Sequence, residues 1–342
     1  MFNSNSPLVS VVIPVYGVEK FLRECLLSVL NQTYTNWECI IVNDSTPDNS
    51  MLIAQEFVNL DSRFRIINQE NRGLAGARNT GIRNANGQYI SLLDSDDVYL
   101  LNKLEKHIYH LQHNPLLGLS YSRSEFIDED SNTLGLYQMP KLTDISPSLL
   151  LTSNPCGNGS AVVLRKQALN DIAYYDKTRQ YICYFDEDLR QTEDVECWFR
   201  LISTTDWVME GLPEPLTLYR VNNSGLSANL DKQFQSWELF ISKAKAYAPI
   251  TIHHSYSLAK AFQYRYLARR AIRSKDGSNA LSYISKAFSS QPSLLLRDPI
   301  RTSLTLSAAI LLNFLPSNFY SFIETNMIKL VGSRHKHIIN RG

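Results

Sequence analysis

The sequence predicts an α/β fold, an open, mostly parallel, doubly wound sheet with a helical extension after residue 231. Three observations carry this. Short apolar runs rich in Val and Ile alternate with stretches of helical spacing over residues 8–93, the pattern of parallel strands joined by crossover helices. The runs lead into polar or acidic residues that would share one sheet edge, where open α/β sheets bind ligands. The charge also divides: residues 1–231 hold 18 Lys and Arg against 29 Asp and Glu, net −11, whereas residues 232–342 hold 16 against 4, net +12. Such asymmetry points to two parts with different partners. At 342 residues the chain has room for one large domain and a smaller one.

In order along the chain, residues 8–16 form a nearly continuous β-branched run, suited to a strand buried on both faces. Pro14 is expected to end its pairing. Residues 19–32 place Phe21, Leu22, Cys25, Leu26, Val29 and Leu30 on one helical stripe. A second strand covers 38–43. The polar turn Asp44-Ser45-Thr46-Pro47-Asp48-Asn49-Ser50 is expected to cap a helix reaching about residue 60. Residues 63–68 make a third strand, 73–84 a helix opened by small residues, and 89–93 a fourth strand entered from Gly87.

Further on, 101–113 reads as a helix and 118–127 as a strand. Residues 128–155 read as a polar loop and 159–164 as a strand. The aromatic and charged stretch 174–190 has no clear period and suits a binding loop. A helix over 191–203 opens on Thr192-Glu193-Asp194, strands fall at 207–209 and 216–221, and Asn222-Asn223-Ser224-Gly225 is a turn. Beyond residue 231 the pattern is helical, best over 234–247, 256–273, 279–289 and 302–315. The last segment is uncharged and closed by Pro316, too short to span a bilayer. It is either a buried helix or one lying in a membrane interface beside Arg269, Arg270, Arg273, Lys275 and the basic tail residues Lys329, Arg334, Lys336 and Arg341. The tail tilts the reading toward the membrane.

The chemistry concentrates at Ser91-Leu92-Leu93-Asp94-Ser95-Asp96-Asp97. Three carboxylates at a strand's C-terminal mouth need water or a cation, since burying them unpaired is very costly. A solvated acidic helix cap satisfies the same pattern. A short acidic loop suits Mg²⁺ or Mn²⁺ when substrate phosphates complete the shell. The five cysteines are scattered, without metal-ligand spacing, so reduced thiols in a cytoplasmic compartment are expected. Residues 1–7 carry no basic residue and show no signal peptide. No Gly-x-Gly-x-x-Gly follows the first strand and no P-loop is present, which argues against a dinucleotide or P-loop enzyme.

Several blocks, taken in order, resemble one family. They are Val9-Ser10-Val11-Val12-Ile13-Pro14-Val15-Tyr16, Leu27-Ser28-Val29-Leu30-Asn31-Gln32-Thr33, the strand ending at Asp44, Asn71-Arg72-Gly73-Leu74-Ala75-Gly76-Ala77-Arg78-Asn79-Thr80-Gly81, Asp94-Ser95-Asp96-Asp97, Glu193-Asp194 and Leu218-Tyr219-Arg220. Over residues 8–231 the chain resembles the inverting, nucleotide-sugar-dependent glycosyltransferases of family 2, which have the GT-A fold.

The resemblance implies a donor site at Pro14, Tyr16, Asp44, Arg78, Asp94, Ser95 and Arg220, with Asp44 accepting the imide N–H of a uracil-type base. It implies Asp96 as direct ligand of Mn²⁺ or Mg²⁺, with Asp94 in the metal site or on the ribose. Asp194 is implied as the base that takes a proton from the acceptor hydroxyl, with Glu193 orienting the site. An Asp or Glu at these positions would also favour a helix dipole without any catalytic role. Two stretches depart from the family's pattern. Asn43 stands where an Asp is common, and Asn222 and Asn223 stand where a His often follows the Tyr-Arg pair, a gap that Arg220 would compensate.

The expectation is therefore a cytoplasmic, membrane-peripheral transferase that moves a sugar from a UDP-type donor to a glycan or lipid-linked saccharide in surface polysaccharide synthesis. Residues 1–231 would be catalytic, and the basic 232–342 would meet an anionic membrane rather than nucleic acid. The alternative is a non-catalytic nucleotide-sugar-binding or membrane scaffold protein on the same fold. Homodimerisation is left open by the sequence.

Overall fold

The computed structural model describes residues 6–221 and 230–339. The chain opens with β1 (Val9–Val15), α1 (Glu19–Leu30), β2 (Trp37–Asn43), α2 (Ser50–Leu60), β3 (Phe64–Asn68), α3 (Gly73–Arg83) and β4 (Tyr89–Leu92). Next come β5 (Val98–Tyr99), α4 (Lys103–His113), β6 (Leu117–Ile127), β7 (Thr133–Gln138), α5 (Pro147–Thr152), β8 (Val162–Arg165) and α6 (Lys166–Asp171). The hairpin β9 (Tyr174–Asp176) and β10 (Tyr181–Cys183) precedes α7 (Glu193–Thr204) and β11 (Val208–Arg220). Then follow α8 (Leu230–Ala244), α9 (Pro249–Arg273), α10 (Gly277–Ser290), the single turn α11 (Leu294–Arg297), α12 (Pro299–Phe314) and α13 (Ser317–Ile339).

The main sheet has the order β3-β2-β1-β4-β8-β6-β11-β5, with β7 added beside β6. The strands β1 to β4 share one direction, and β6 and β11 are parallel to each other. The reversed strand β8 joins the two groups, so all six run the same way, while β5 and β7 run against them. The α/β class and the mostly parallel sheet are as the sequence predicts.

Every residue of β1 is buried because helices cover both faces. Val9, Val11, Ile13 and Val15 pack with Leu22 and Leu26 of α1 and Phe57 of α2. Val12 faces the other layer, with Ala77 of α3, Trp198 of α7 and Phe240 of α8.

The polar turn after β2 does more than start one helix. Asp48 accepts the amide of Glu19 at 2.8 Å and that of Ser50 at 3.1 Å, and Glu19 accepts the amide of Asn49 at 3.1 Å. The N-termini of α1 and α2 thus cap each other. Burial pushes the Asp48 carboxyl up, but hydrogen bonds from Ser50, Thr46 and two amides outweigh it and hold it at about 2.

Some expectations are corrected. β1 does not stop at Pro14: its ladder to β4 ends at Val12, while its pairing with β2 continues through Pro14 to Val15. The two late strands are one, β11, whose register shifts between Leu212 and Thr217 absorb Pro213 and Pro215. The expected loop 128–155 contains β7 and α5, and 174–190 contains a hairpin. The turn expected at Asn222, Asn223, Ser224 and Gly225 lies outside the described residues.

The helices after β11 serve two cores. Trp237, Phe240 and Ile241 of α8 and Ile252 of α9 join the core beneath α7. The second half of α9 instead packs with α10 and α12 through Leu267, Ala271, Ile284 and Ala309. Within α12, Thr302, Thr305 and Ala309 face inward. Among the described residues no helix is long and apolar enough to cross a membrane.

Candidate active site

The parallel strands deliver their C-terminal ends to one edge. The amide of Asp44 donates to Val15 O at 3.1 Å, that of Gln69 to Asn43 O at 3.0 Å, and that of Leu93 to Val12 O at 3.1 Å. Pro14 sits in this edge and Tyr16 lies half-exposed just beyond it. Asp44 is buried and fixes the start of α3. Its Oδ1 accepts from Gln69 Nε2 at 2.6 Å and from the Arg72 amide at 2.8 Å, and its Oδ2 accepts from the Gly73 amide at 2.9 Å. Gly73 adopts φ +75°, which bends the chain into the helix at that point. Asp44 therefore caps α3, not α2.

From α3, Arg78 crosses to the carboxylates, almost wholly buried. Its Nη2 donates to Asp94 Oδ1 at 2.7 Å and its Nη1 to Glu193 Oε1 at 2.8 Å. The guanidinium fork, expected at the donor and of a shape that suits phosphate, is thus filled by two carboxylates, one from each side of the edge. Burial works against the guanidinium, but Asp94, Glu193 and Asp194 more than offset it and raise its pKa. One cation among three carboxylates cannot keep all three ionised cheaply. Burial accordingly raises Glu193 to about 7, even though Arg78 pulls it down. Asp194 is raised in the same direction by burial, with Arg78, its own neighbour's amide and Asn154 opposing.

Asp194 sits at the second position of α7 and is only partly covered. Its Oδ1 accepts the Val195 amide at 2.8 Å and its Oδ2 accepts from Asn154 Nδ2 at 3.0 Å. Thr192, just before the pair, has φ +66°, an uncommon conformation for a β-branched residue. Ser236 of α8 holds that turn: its hydroxyl donates to Gln191 O and lies 3.3 Å from Thr192 Oγ1. Lys243 of α8 bridges Asp186 and Asp188 at 2.6 and 2.7 Å. The helices after residue 231 therefore seat the Glu193-Asp194 turn.

In the acidic loop, Ser160 links two ends. Its hydroxyl accepts the Asp94 amide at 2.9 Å and donates to Asp97 Oδ2 at 2.6 Å. Asp97 is fully buried and also accepts the Arg220 amide at 2.9 Å; burial and the neighbouring Asp96 and Asp94 push its carboxyl well up. Ser95 is buried as well. Arg220 does not face outward from the edge. Its guanidinium donates to Asp96 O at 2.8 Å, Asp128 O at 2.7 Å and Glu24 Oε2 at 2.7 Å, and stacks over Phe21.

Asp96 differs from its neighbours: among the described residues no side chain hydrogen-bonds its carboxylate. Burial and the charge of Asp94 raise it to about 6. Asp94 Oδ2 also has no hydrogen-bond partner among these residues. Two under-compensated carboxylates fit a divalent cation. Among the described residues no three acidic, imidazole or thiol groups form a complete cage, so the remaining ligands would be phosphate or water oxygens.

Comparisons with known proteins bear on the family and the fold. The model of "Glycosyl transferase family 2" matches residues 10–173. A UDP-Glc:α-D-GlcNAc-diphosphoundecaprenol β-1,3-glucosyltransferase, WfgD of Escherichia coli, is 31% identical over 235 residues, covering 68% of this chain and 85% of the relative. The chain belongs to glycosyltransferase family 2. The uncharacterized glycosyltransferase EpsJ of Bacillus subtilis is 30% identical over 283 residues, covering 75% of this chain and 72% of the relative.

Among solved structures, the mannosyltransferase PcManGT from Pyrobaculum calidifontis, in complex with GDP-Man and Mn²⁺, superposes with TM-score 0.58 at 17% identity over 90% of this chain and 86% of that one. TarS of S. aureus, in complex with UDP-GlcNAc, gives 0.53 at 14% identity over 96% and 90%. At these identities the likeness concerns the GT-A type fold.

The sequence reading of this glycosyltransferase missed Ser160, Asn154 and the hairpin. The signal for the first two was the run Asn154-Pro155-Cys156-Gly157-Asn158-Gly159-Ser160, dense in turn formers. Gly159 is there because a Cβ would lie 2.3 Å from Arg78 Nη2, a group pinned by two ion pairs. Gly159→Ala is expected to cost about 1–3 kcal/mol in urea unfolding and to disturb the Arg78 pairs. The hairpin matters through Glu187, which accepts from Asn79 Nδ2 at 2.9 Å and from the Tyr181 hydroxyl at 3.0 Å and so ties β10 to α3.

Glu193 also gives the transferase a pH signature. A carboxyl raised to about 7 in the fold contributes stability that is fully present below its unfolded value of about 4.3 and is lost as pH rises through about 7. The urea midpoint should fall across that window, and Glu193→Gln should flatten the fall.

Proposed function

We propose that this glycosyltransferase moves a sugar from a nucleoside-diphosphate donor of the UDP type to a hydroxyl of a glycan or lipid-linked saccharide in polysaccharide synthesis, with inversion. The carrying observation is the pairing of two unlike carboxylate sites across Arg78. On one side lies an under-compensated Asp94–Asp96 pair, and on the other a partly open Asp194. The name printed for WfgD, a transferase acting on a diphosphoundecaprenol-linked sugar, supports the acceptor class. The sugar-nucleotide complexes of TarS and PcManGT support the donor class.

In this reading Asp96, with Asp94, would hold Mn²⁺ or Mg²⁺, which would supply Lewis-acid neutralisation of the leaving diphosphate's charge. A carboxylate offers about four acceptor positions, and the protein uses three on Asp44. The fourth, on Oδ2, is left for the imide N–H of a uracil-type base. Pro14, Tyr16 and Ser95 line the donor's place at the strand edge. Arg78 acts mainly from behind, keeping Asp94 and Glu193 apart and charged in order. Arg220 acts through the Asp96 carbonyl and Asp97 as a positioning residue.

Asp194 takes the acceptor proton, oriented by Asn154. Residues 1–231 carry this chemistry, and the basic 232–342 provide contact with a membrane on the cytoplasmic side, with α8 serving both. A scaffold without activity is disfavoured by Asp194, which lies partly open at the first turn of α7 with Asn154 fixing its orientation.

The test is nucleoside diphosphate release from a panel of nucleotide sugars, with Mn²⁺, with Mg²⁺ and with chelator, together with calorimetric donor binding. One donor should give metal-dependent release that Asp96→Ala abolishes. No binding of any nucleotide sugar by the wild type would overturn the reading in favour of the scaffold.

A further inference from the structure

The described helices leave one apolar surface without a protein partner. On α12, Ile300, Leu304, Ile310 and Phe314 follow helical spacing on the face opposite Thr302, Thr305 and Ala309. Ile300 is 72% exposed and Phe314 74% exposed, and Leu296 on the turn before is 84% exposed. Phe319 and Phe322, at the start of α13 just beyond Pro316, are exposed as well. Isolated exposed apolar side chains are ordinary, but a contiguous stripe of this kind marks an interaction surface.

Charge identifies the occupant. Residues 249–339 carry twelve Lys and Arg against three Asp and Glu. Two of the three acids are neutralised within the fold, Asp298 by Arg265 and Glu324 by Lys275. Arg297 and Arg301, which flank the stripe in the chain, have no acidic partner among the described residues, nor do Lys329 and Lys336. An apolar stripe beside unpaired basic groups fits an anionic bilayer, with the apolar side chains below the headgroups and the guanidinium groups at their level.

The surface also leads to the site. From the patch, α13 runs to β7, where Gly332 abuts the carbonyl of Gly135 and the Tyr137 amide meets His335 Nδ1 at 3.4 Å. β7 ends at Gln138, which accepts from Asn158 Nδ2 at 3.2 Å, next to Gly159 and Arg78.

We infer that the face formed by α11, α12 and the start of α13 docks on an anionic lipid bilayer and so presents the site to an acceptor anchored in that bilayer. The purpose assigned to the docking rests on the transferase reading; the docking itself does not.

The test uses the full chain with vesicles of equal parts phosphatidylglycerol and phosphatidylcholine, and with phosphatidylcholine alone, scored by co-sedimentation. Three proteins are compared: wild type, Ile300→Glu/Phe314→Glu and Arg297→Glu/Arg301→Glu. These positions are exposed, so the fold should be kept, and donor release in solution serves as the control. The wild type should bind the anionic vesicles, and each double variant should bind at least about tenfold less. Undiminished binding by both variants, or no binding by the wild type, overturns the inference. So does a wild-type dimer in solution that Ile300→Glu/Phe314→Glu dissociates, since the occupant would then be a second copy. Absence of vesicle binding by the wild type, with its donor release intact, would sink the docking alone. Intact vesicle binding with no release from any donor would sink the transferase reading alone.

Discussion

Asp194→Asn is expected to lower kcat by roughly 10²–10⁴-fold, the range for loss of a general base, with donor binding retained. The acceptor hydroxyl ionises far above neutral pH, so attack needs a base within hydrogen-bond reach. Asp194 is partly open to solvent at the first turn of α7, and its two internal hydrogen bonds, from Val195 N and Asn154 Nδ2, leave lone pairs free. A carboxamide keeps the shape and removes the basicity. Glu193→Gln should behave differently, because Glu193 is buried against Arg78. Its replacement should change stability against pH more than kcat. Steady-state kinetics and calorimetry on both variants separate the roles, and equal losses of kcat in the two would refute the assignment of Asp194 as the base.

Arg78→Met should cost about 3–5 kcal/mol of stability at pH 8, the penalty for leaving a buried charge uncompensated. Asp94 and Glu193 would then face each other with no cation between them. The cost should shrink at pH 5, because Glu193 already stands at about 7 and takes up a proton there. Urea unfolding at the two pH values measures this. A cost independent of pH would mean that the guanidinium fills space rather than balances charge. The same variant should lose donor binding, since Asp94 and Glu193 would no longer be held across the site.

Much of the fold was legible in the sequence because its first half is built from strands buried on both faces. Such strands read as continuous apolar runs, and the polar turns at their ends mark the functional edge. The acidic loop 94–97 stood out because it ends a buried strand abruptly, whereas the Glu193-Asp194 pair opens α7 as any acidic first turn could and was singled out only by the family resemblance. What stayed hidden depends on contacts between distant segments. Arg78 pairs with a residue 115 positions away, so its fork, which suits phosphate in isolation, is filled by carboxylates. Arg220 was expected at the donor and is instead drawn under the acidic loop by Glu24 and the Asp128 carbonyl.

Elements lacking a strong period of their own were also missed. β7 is an edge strand covered by α13, and α13 mixes apolar and basic residues because one face packs while the other is exposed. The strand β11 was split in two by prolines that register shifts accommodate.

The most direct test of the central claim needs no acceptor. With Asp194 as its single base the enzyme would act by a single displacement, so slow transfer of the donor's sugar to water should follow the same stereochemistry. Proton NMR can follow the enzyme with its preferred α-linked nucleotide sugar and Mn²⁺, reading the anomeric signal before mutarotation. The β anomer should form first, and Asp194→Asn should abolish its appearance. The α anomer forming first would contradict the single displacement and the role given to Asp194.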